Sequence, residues 1–428
     1  MTLYRARTAD TPGNPFTGAA LRADDDAGLL VRGGVIAERG PFAPVRSRHP
    51  AEPVVDLRDG LLIPGLVDTH VHYPQLRAIG GLGMPLLDWL EECALPEEAR
   101  LADTAYARTV AAEFTRALAD AGTTSALVFG AHFAPAVDEL FTAARDTGLR
   151  ITAGLVVSDR ELRPGLRTTP GRGYDEGRAL AERWHGTGRL RYAVTPRFAL
   201  SCGEEMLAAC HSLHADVPGS LFTTHINENP AEITRVRALT GTGYLDSYDR
   251  HGLIGKDSVL AHNVHAPDAE LDVLAATGAA VSHCPASNSA LGSGLFPLAR
   301  HVARGIPVAL GSDVGAGSGL SLFKEGLQAY FVQRLQGGAG QPLAPEHLLY
   351  LATTAGARAL GLGDLTGDLS AGKRFDAAWI RPLPGTPLDI GLRHAQNPES
   401  AVARLFAQAT PHDVAAVWVD GDPVKAPS

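Results

Sequence analysis

Cysteine is scarce in this chain: four residues in 428, Cys93, Cys202, Cys210 and Cys284, with no C-x-x-C pair among them. That spacing excludes a disulfide framework and a cysteine-ligated zinc knuckle, so any metal must be held by histidine and carboxylate. Basic residues are few and scattered: 38 Lys and Arg stand against 47 Asp and Glu, for a formal net charge of -9. Without a basic stripe to follow a phosphate backbone, nucleic acid is not an expected partner. No uninterrupted apolar run approaches the roughly 20 residues of a membrane helix. Residues 1–16 are polar and proline-containing, without the apolar stretch of a secretory signal. The expectation is a cytoplasmic protein with no membrane partner.

What is present is ordinary globular material, 45% apolar and 20% charged, enough for a large core. Apolar, β-branched runs recur at 61–67, 123–129, 151–157, 191–195, 221–224, 258–261, 279–282 and 307–311. Between them lie stretches such as 104–121 and 134–147, rich in the helix formers Ala, Leu and Arg. Eight such units predict an α/β fold, a (β/α)8 TIM-like barrel. Both chain ends differ from this rhythm. Residues 29–38 (LLVRGGVIAE), 375–380 and 415–420 (AAVWVD) are short strand-like pieces bounded by Gly, Asp and Pro. They predict a small β-sandwich domain built from both termini, with residues 1–60 and 366–428 in it and 61–365 in the barrel.

Chemically capable residues sit just past the ends of the runs, where barrel active sites are built. The first run ends in His70-Val71-His72. Residues two apart on a strand share a face, so both imidazoles can reach one ion. The fifth run leads into His225-Ile226-Asn227-Glu228, a third imidazole with an acid close by. The sixth ends in His262-Asn263, and the eighth in Gly311-Ser312-Asp313 followed by the Gly-rich turn Val314-Gly315-Ala316-Gly317. Each residue alone has a plainer reading: a hydrogen-bonded strand-end His, a turn Asp, or a Glu favoured by a helix start.

In this order the residues resemble the amidohydrolase superfamily, and the resemblance covers nearly the whole chain. Gly367-Asp368-Leu369-Ser370-Ala371-Gly372-Lys373, then Asp376-Ala377, looks like the superfamily's return into its small β domain. Binuclear members carry a bridging carboxylated lysine on the fourth strand. Here Ala193-Val194-Thr195-Pro196 has no lysine, so the resemblance implies a single ion. Its implied ligands are His70, His72, His225 and Asp313, with room left for a water, and Zn2+ is expected ahead of iron.

The chemistry implied is hydrolytic removal of an amino group from a heteroaromatic ring. The metal lowers the pKa of a water that attacks the ring carbon. Glu228 is the expected proton shuttle, His262 orients the nucleophile without binding metal, its alternative being a fourth histidine ligand, and Asp313 accepts the water proton. The loops His70-Val71-His72-Tyr73-Pro74-Gln75 and Thr195-Pro196-Arg197-Phe198-Ala199-Leu200-Ser201 resemble those of members acting on guanine. Pro85-Leu86-Leu87-Asp88-Trp89-Leu90, Ser282-His283-Cys284-Pro285-Ala286-Ser287-Asn288 and Leu291-Gly292-Ser293-Gly294 do so too.

By this resemblance Gln75 and Arg197 contact the purine, Phe198 packs beside it, and Trp89 and Leu86 belong to a lid or to plain packing. Asn263 stands where Gly is expected, Asn227 where Ser is usual, and Ser289-Ala290 is a smaller, more polar pair than usual. Alternatives are a deaminase of 8-oxoguanine, a pterin, a triazine or an adenosine derivative, and, from another class, a non-catalytic binding protein on the same fold. The resemblance also implies a homodimer.

Overall fold

The structure, a computed structural model, describes residues 1–426. Eight parallel strands form the barrel: Leu66–His72, Thr123–Phe129, Arg150–Gly154 (continued by Val156–Val157), Arg191–Pro196, Leu221–Ile226, Ser258–His262, Ala280–His283 and Val308–Leu310. Nearly all their residues are buried on both faces, which is why the runs read as continuously apolar rather than alternating. The seam between first and last strands is drawn together by backbone bonds, Asp313 N to His70 O at 2.9 Å and His72 N to Val314 O at 3.0 Å.

Helices cover the outside through apolar stripes. In Thr104–Asp120, Ala107, Val110, Ala111, Phe114 and Leu118 share the buried face, and the Asp103 side chain caps the start by accepting from Ala105 N at 2.9 Å. One end of the barrel is plugged. Val67, Leu127, Ala193, Leu221, Val259, Ala280 and Ala309, one residue from each of seven strands, form a layer with Tyr350, Ala355 and Leu360. The short helix Thr354–Ala359 seats so closely that a Cβ on Gly356 would lie 2.8 Å from the Val67 side chain. With that end shut, the site can open only at the carboxyl ends of the strands.

The termini meet in one seven-stranded mixed sheet, in the order Asp422–Lys425, Val414–Val419, Ala377–Ile380, Val54–Pro64, Thr2–Asp10, Arg22–Arg32, Val35–Pro41. The LLVRGGVIAE segment is a hairpin whose turn, Gly33-Gly34, has φ of 56° and 79°, the left-handed geometry that matches strand twist. Tyr4, Leu29, Ile36, Leu62, Phe375 and Trp418 pack together on its inner side. The 61–67 run, read as one barrel strand, is divided. Residues up to Pro64 pair with Ala377–Ile380 in the small sheet, and the barrel strand starts at Leu66. Gly65 permits the crossing, since a Cβ there would lie 2.2 Å from the Thr124 side chain.

Candidate active site

His70 and His72 face inward because of an irregularity that the alternation rule does not contain. Pairing with the second strand runs Asp68 to Ala126 and then Val71 to Val128, so the first strand carries one extra residue. Such a bulge re-aims the side chains beyond it. Asp68 holds the bend: its Oδ1 accepts from His70 N at 3.2 Å and Ser312 N at 3.0 Å, and its Oδ2 from Ser312 Oγ at 2.5 Å. Burial pushes the Asp68 carboxyl up to about 7 against those bonds.

Beyond the bulge four groups converge. His72 Nε2 lies 3.2 Å from His70 Nε2 and 3.2 Å from His225 Nε2, and Asp313 Oδ1 lies 3.3 Å from both His70 Nε2 and His72 Nε2. His225 Nδ1 donates to Arg197 O at 2.6 Å, which turns its Nε2 lone pair toward the centre. Burial holds His72 down to about 4 and His225 well below its ordinary value, so these imidazoles are neutral. Neutral imidazole lone pairs and a carboxylate crowded this closely are mutually repulsive without a cation. Ligands of a tetrahedral zinc, bonded at about 2.0–2.1 Å, sit about 3.3 Å apart, which the observed spacing fits. Phe129, at the end of the second strand, floors the cluster, with ring centroids 4.6 to 5.0 Å from all three imidazoles.

His262 stands at the edge. Its Nδ1 donates to Asn288 Oδ1 at 2.9 Å, and its Nε2 lies 3.5 Å from Glu228 Oε2 and 3.8 Å from Asp313 Oδ2. The ligand atoms of His70, His225, His262 and Asp313 all fall within 4.8 Å of one another. His72, however, is the nearer fourth neighbour, and Asp313 turns its Oδ1 to His70 and His72 but its Oδ2 to His262. The left-handed backbone at this rim explains two unusual residues. Asn227 and Asn263 have φ of 49° and 52°, a region asparagine tolerates better than most side chains, and Asn227 Nδ2 bonds Asn263 Oδ1 at 3.1 Å.

Glu228 is not a helix-start residue. Asn229 caps the helix Pro230–Thr240, accepting from Ala231 N at 2.9 Å, which leaves Glu228 free to face the cluster. Its Oε1 accepts from Ser293 Oγ at 3.0 Å, and burial, with the charge of Asp313, pushes its carboxyl up to about 8.

One turn on, Glu232 is fully buried, accepts from Tyr244 OH, and among the described residues its Oε2 finds no partner; burial, then Glu228, raises it to about 8 as well. A carboxyl whose folded pKa is raised favours the folded state when protonated. That advantage is full below the unfolded value of about 4.3 and is lost as pH climbs toward about 8. Glu232→Gln is therefore expected to raise the melting temperature by several degrees above about pH 8 while changing it little near about pH 5. Thermal unfolding at the two pH values checks this.

Gln75, Arg197 and Phe198 line the same cavity as His72, His225, Glu228, His262 and Asp313, with Leu86, Trp89, Leu90, Leu291 and Ala316 closing it. The segment after the first strand thus supplies apolar wall, as Leu86 and Trp89 pack with Leu291 and Ala316. Gln75 Oε1 accepts from Gly315 N at 3.1 Å, and its Nε2 donates to Glu98 Oε1 at 2.6 Å. Phe198 stands edge-on to His225, centroids 6.4 Å apart.

The Amidohydrolase family model matches residues 61–424. The chain belongs to the amidohydrolase family. It is 57% identical to a protein of Deinococcus radiodurans described as a probable guanine deaminase, over 100% of this chain and 99% of that one. In three dimensions it matches the guanine deaminase of E. coli with a TM-score of 0.95 at 36% identity, covering 99% of both chains. It also matches the guanine deaminase of C. acetobutylicum, a structure with guanine bound in the active site, with a TM-score of 0.92 at 25% identity over 99% of both chains.

His72, Gln75, Arg197, Phe198, His225, Glu228, His262 and Asp313 thus line one cavity, and His70 reaches them through His72 and Asp313. Cys284 and His283 do not line it: His283 stacks on Phe296 with centroids 4.2 Å apart, and among the described residues its ring nitrogens find no partner. Sequence reasoning missed Asp68, Phe129, Glu98 and His132. Phe129 and Asp68 belong to strands and read as core or turn. Glu98 carried only a faint signal, one turn after buried Leu95 on its short helix, and His132 none.

Proposed function

We propose that this chain catalyses the hydrolytic deamination of guanine to xanthine and ammonia, with one zinc ion held by His70, His72, His225 and Asp313. The observation that carries the reading is a single buried cavity in which that cluster, the acid Glu228 and the polar pair Gln75 and Arg197 face one another. The relatives named above support guanine as the ring. Zinc, when bound, lowers the pKa of a water far enough to make it a nucleophile near neutral pH.

The chain's own groups do the rest. Asp313 Oδ2 accepts the proton of the attacking water, and His262, its ring fixed by Asn288, aligns that water with its Nε2 lone pair. Glu228 gives its proton to the ring nitrogen beside the amine, takes up the proton of the hydroxyl added to the ring carbon and passes it to the amine, because NH2⁻ does not leave; the proton held by Asp313 then restores the acid form of Glu228. Its elevated pKa keeps it in acid form near neutrality. Leu86, Trp89 and Leu291 exclude bulk water. Arg197 donates to the ring carbonyl, which adenine lacks. A homodimer acting in the cytoplasm in purine breakdown completes the reading, and sedimentation tests the dimer.

The test of the reading is ammonia release, with product identified, from guanine, 8-oxoguanine, adenine, cytosine and pterins, alongside metal analysis of the purified protein. Turnover of guanine to xanthine above the rest supports it, and preference for another ring overturns it. A second expected result concerns recognition. Arg197→Ala should lower the preference for guanine over adenine by about a hundredfold, because the penalty for an unpaired buried donor disappears. Competition kinetics with the two purines measure that ratio.

A further inference from the structure

Glu98 is a buried carboxylate, 3% exposed, that belongs to neither the metal cluster nor the acid-base pair. It lies on the short helix Leu95–Ala99, beyond the apolar wall segment. Its Oε2 and Oε1 accept from Arg197 Nη1 at 2.6 and 2.9 Å, Oε1 accepts from Gln75 Nε2 at 2.6 Å, and Oε2 from His132 Nε2 at 3.2 Å. Three loops, after the first, second and fourth strands, are thereby tied to one carboxylate. We infer that Glu98 is the positioning residue of the purine wall, and that by neutralising Arg197 it makes the cavity select a neutral ring over an anionic one.

The positioning half follows from donor and acceptor bookkeeping. A carboxylate only accepts and the Gly315 N–H only donates, so the Gln75 amide has one permitted orientation. One amide N–H and one carbonyl lone pair remain for a ligand. Arg197 is gripped through Nη1 alone, and among the described residues its Nε and Nη2 find no partner, so those two donors are left for the ring.

The charge half follows from the same contacts. Burial by itself would raise the Glu98 carboxyl, but the Arg197 charge and the His132 bond outweigh it and hold it well below the carboxylate range. Burial lowers His132 despite Glu98, leaving the imidazole neutral. One negative and one positive charge thus cancel in a dry wall. The other ionisable groups around the cavity, His72, His225, His262, Glu228 and Asp313, are left in place by substitution of Glu98. This inference rests on the proposed reaction, in which it has a specific use. Guanine is neutral near pH 7, whereas xanthine is the more acidic purine and carries a growing anionic fraction as pH rises. An unbalanced guanidinium would retain that product, and the neutral pair releases it.

The experiment is calorimetric binding of xanthine to zinc-loaded wild type and Glu98→Gln at about pH 6 and about pH 9, with guanine kinetics on both proteins. At the lower pH, where xanthine is neutral, Glu98→Gln is expected to bind it about tenfold more weakly through lost positioning; at the higher pH the order reverses, and the variant binds about tenfold more tightly. The variant's KM for guanine rises, and Glu98→Asp restores part of the wild-type pattern. Weaker binding by the variant at both pH values is what a merely structural role gives and overturns the charge argument; equal binding at both overturns the whole inference. Should Glu98→Gln not fold, wild type alone decides: affinity for xanthine must fall as the ring ionises, and a rise refutes the neutral wall. Absence of guanine turnover by wild type refutes the proposed reaction instead, and leaves the xanthine comparison valid.

Discussion

Glu228→Gln is expected to keep a full complement of metal and to deaminate guanine about a thousandfold more slowly than wild type. The change is isosteric and preserves an acceptor for Ser293 Oγ, so neither the cavity nor the cluster of three imidazoles and Asp313 is disturbed. What it removes is a transferable proton. Burial has left this carboxyl raised to about 8, so the acid form is the resting form, which suits the proposed proton donor. The helix beside it has its own cap in Asn229, so no helix-stabilising role competes for the explanation. Metal content by emission spectroscopy and steady-state rates on one preparation check both halves. Near-normal turnover with metal present ends the shuttle assignment; lost metal makes Glu228 part of the ion's support instead.

The barrel was legible because its strands are buried on both faces and so read as apolar runs, and the polar residues breaking those runs fall at the open end. The small sheet was legible at 29–38 as a strand-like piece, whereas the hairpin turn at Gly33-Gly34, with φ of 56° and 79°, is a finding of the structure. What could not be read is where one sheet hands the chain to the other. Residues 61–67 are uniformly apolar, but 61–64 serve the small sheet, a choice made by pairing with residues 377–380, hundreds of positions away.

The site shows the same division. His70 and His72 were readable as a pair, but what turns them inward is the bulge held by Asp68 against Ser312, a long-range contact. Arg197 and Gln75, named by resemblance to amidohydrolases, line the cavity, whereas the carboxylate that bonds both lies in a helix whose only local mark is its buried face. Asn227 and Asn263 looked like departures until their left-handed φ values accounted for them.

His72→Ala should strip the protein of its ion and lower guanine turnover by more than about a thousandfold, while His262→Ala retains the ion and loses only about a hundredfold. The two histidines are rivals for one role, because His262 also comes within 4.8 Å of three of the proposed ligands. Distance and bonding separate them. His72 Nε2 has neighbours at 3.2, 3.2 and 3.3 Å, whereas His262 Nε2 lies 3.5 Å from Glu228 Oε2 and 3.8 Å from Asp313 Oδ2 and makes no hydrogen bond among the described residues. A residue that faces the acid and the far oxygen of Asp313 is placed to direct a water between them, not to complete a tetrahedron. Zinc titration followed by melting temperature reads the difference without any assay of activity. Wild type and His262→Ala should melt higher as zinc is added, since a ligand bound only by the folded state stabilises it, and His72→Ala should not. The opposite pattern would make His262 the fourth ligand and leave the nucleophile without its guide.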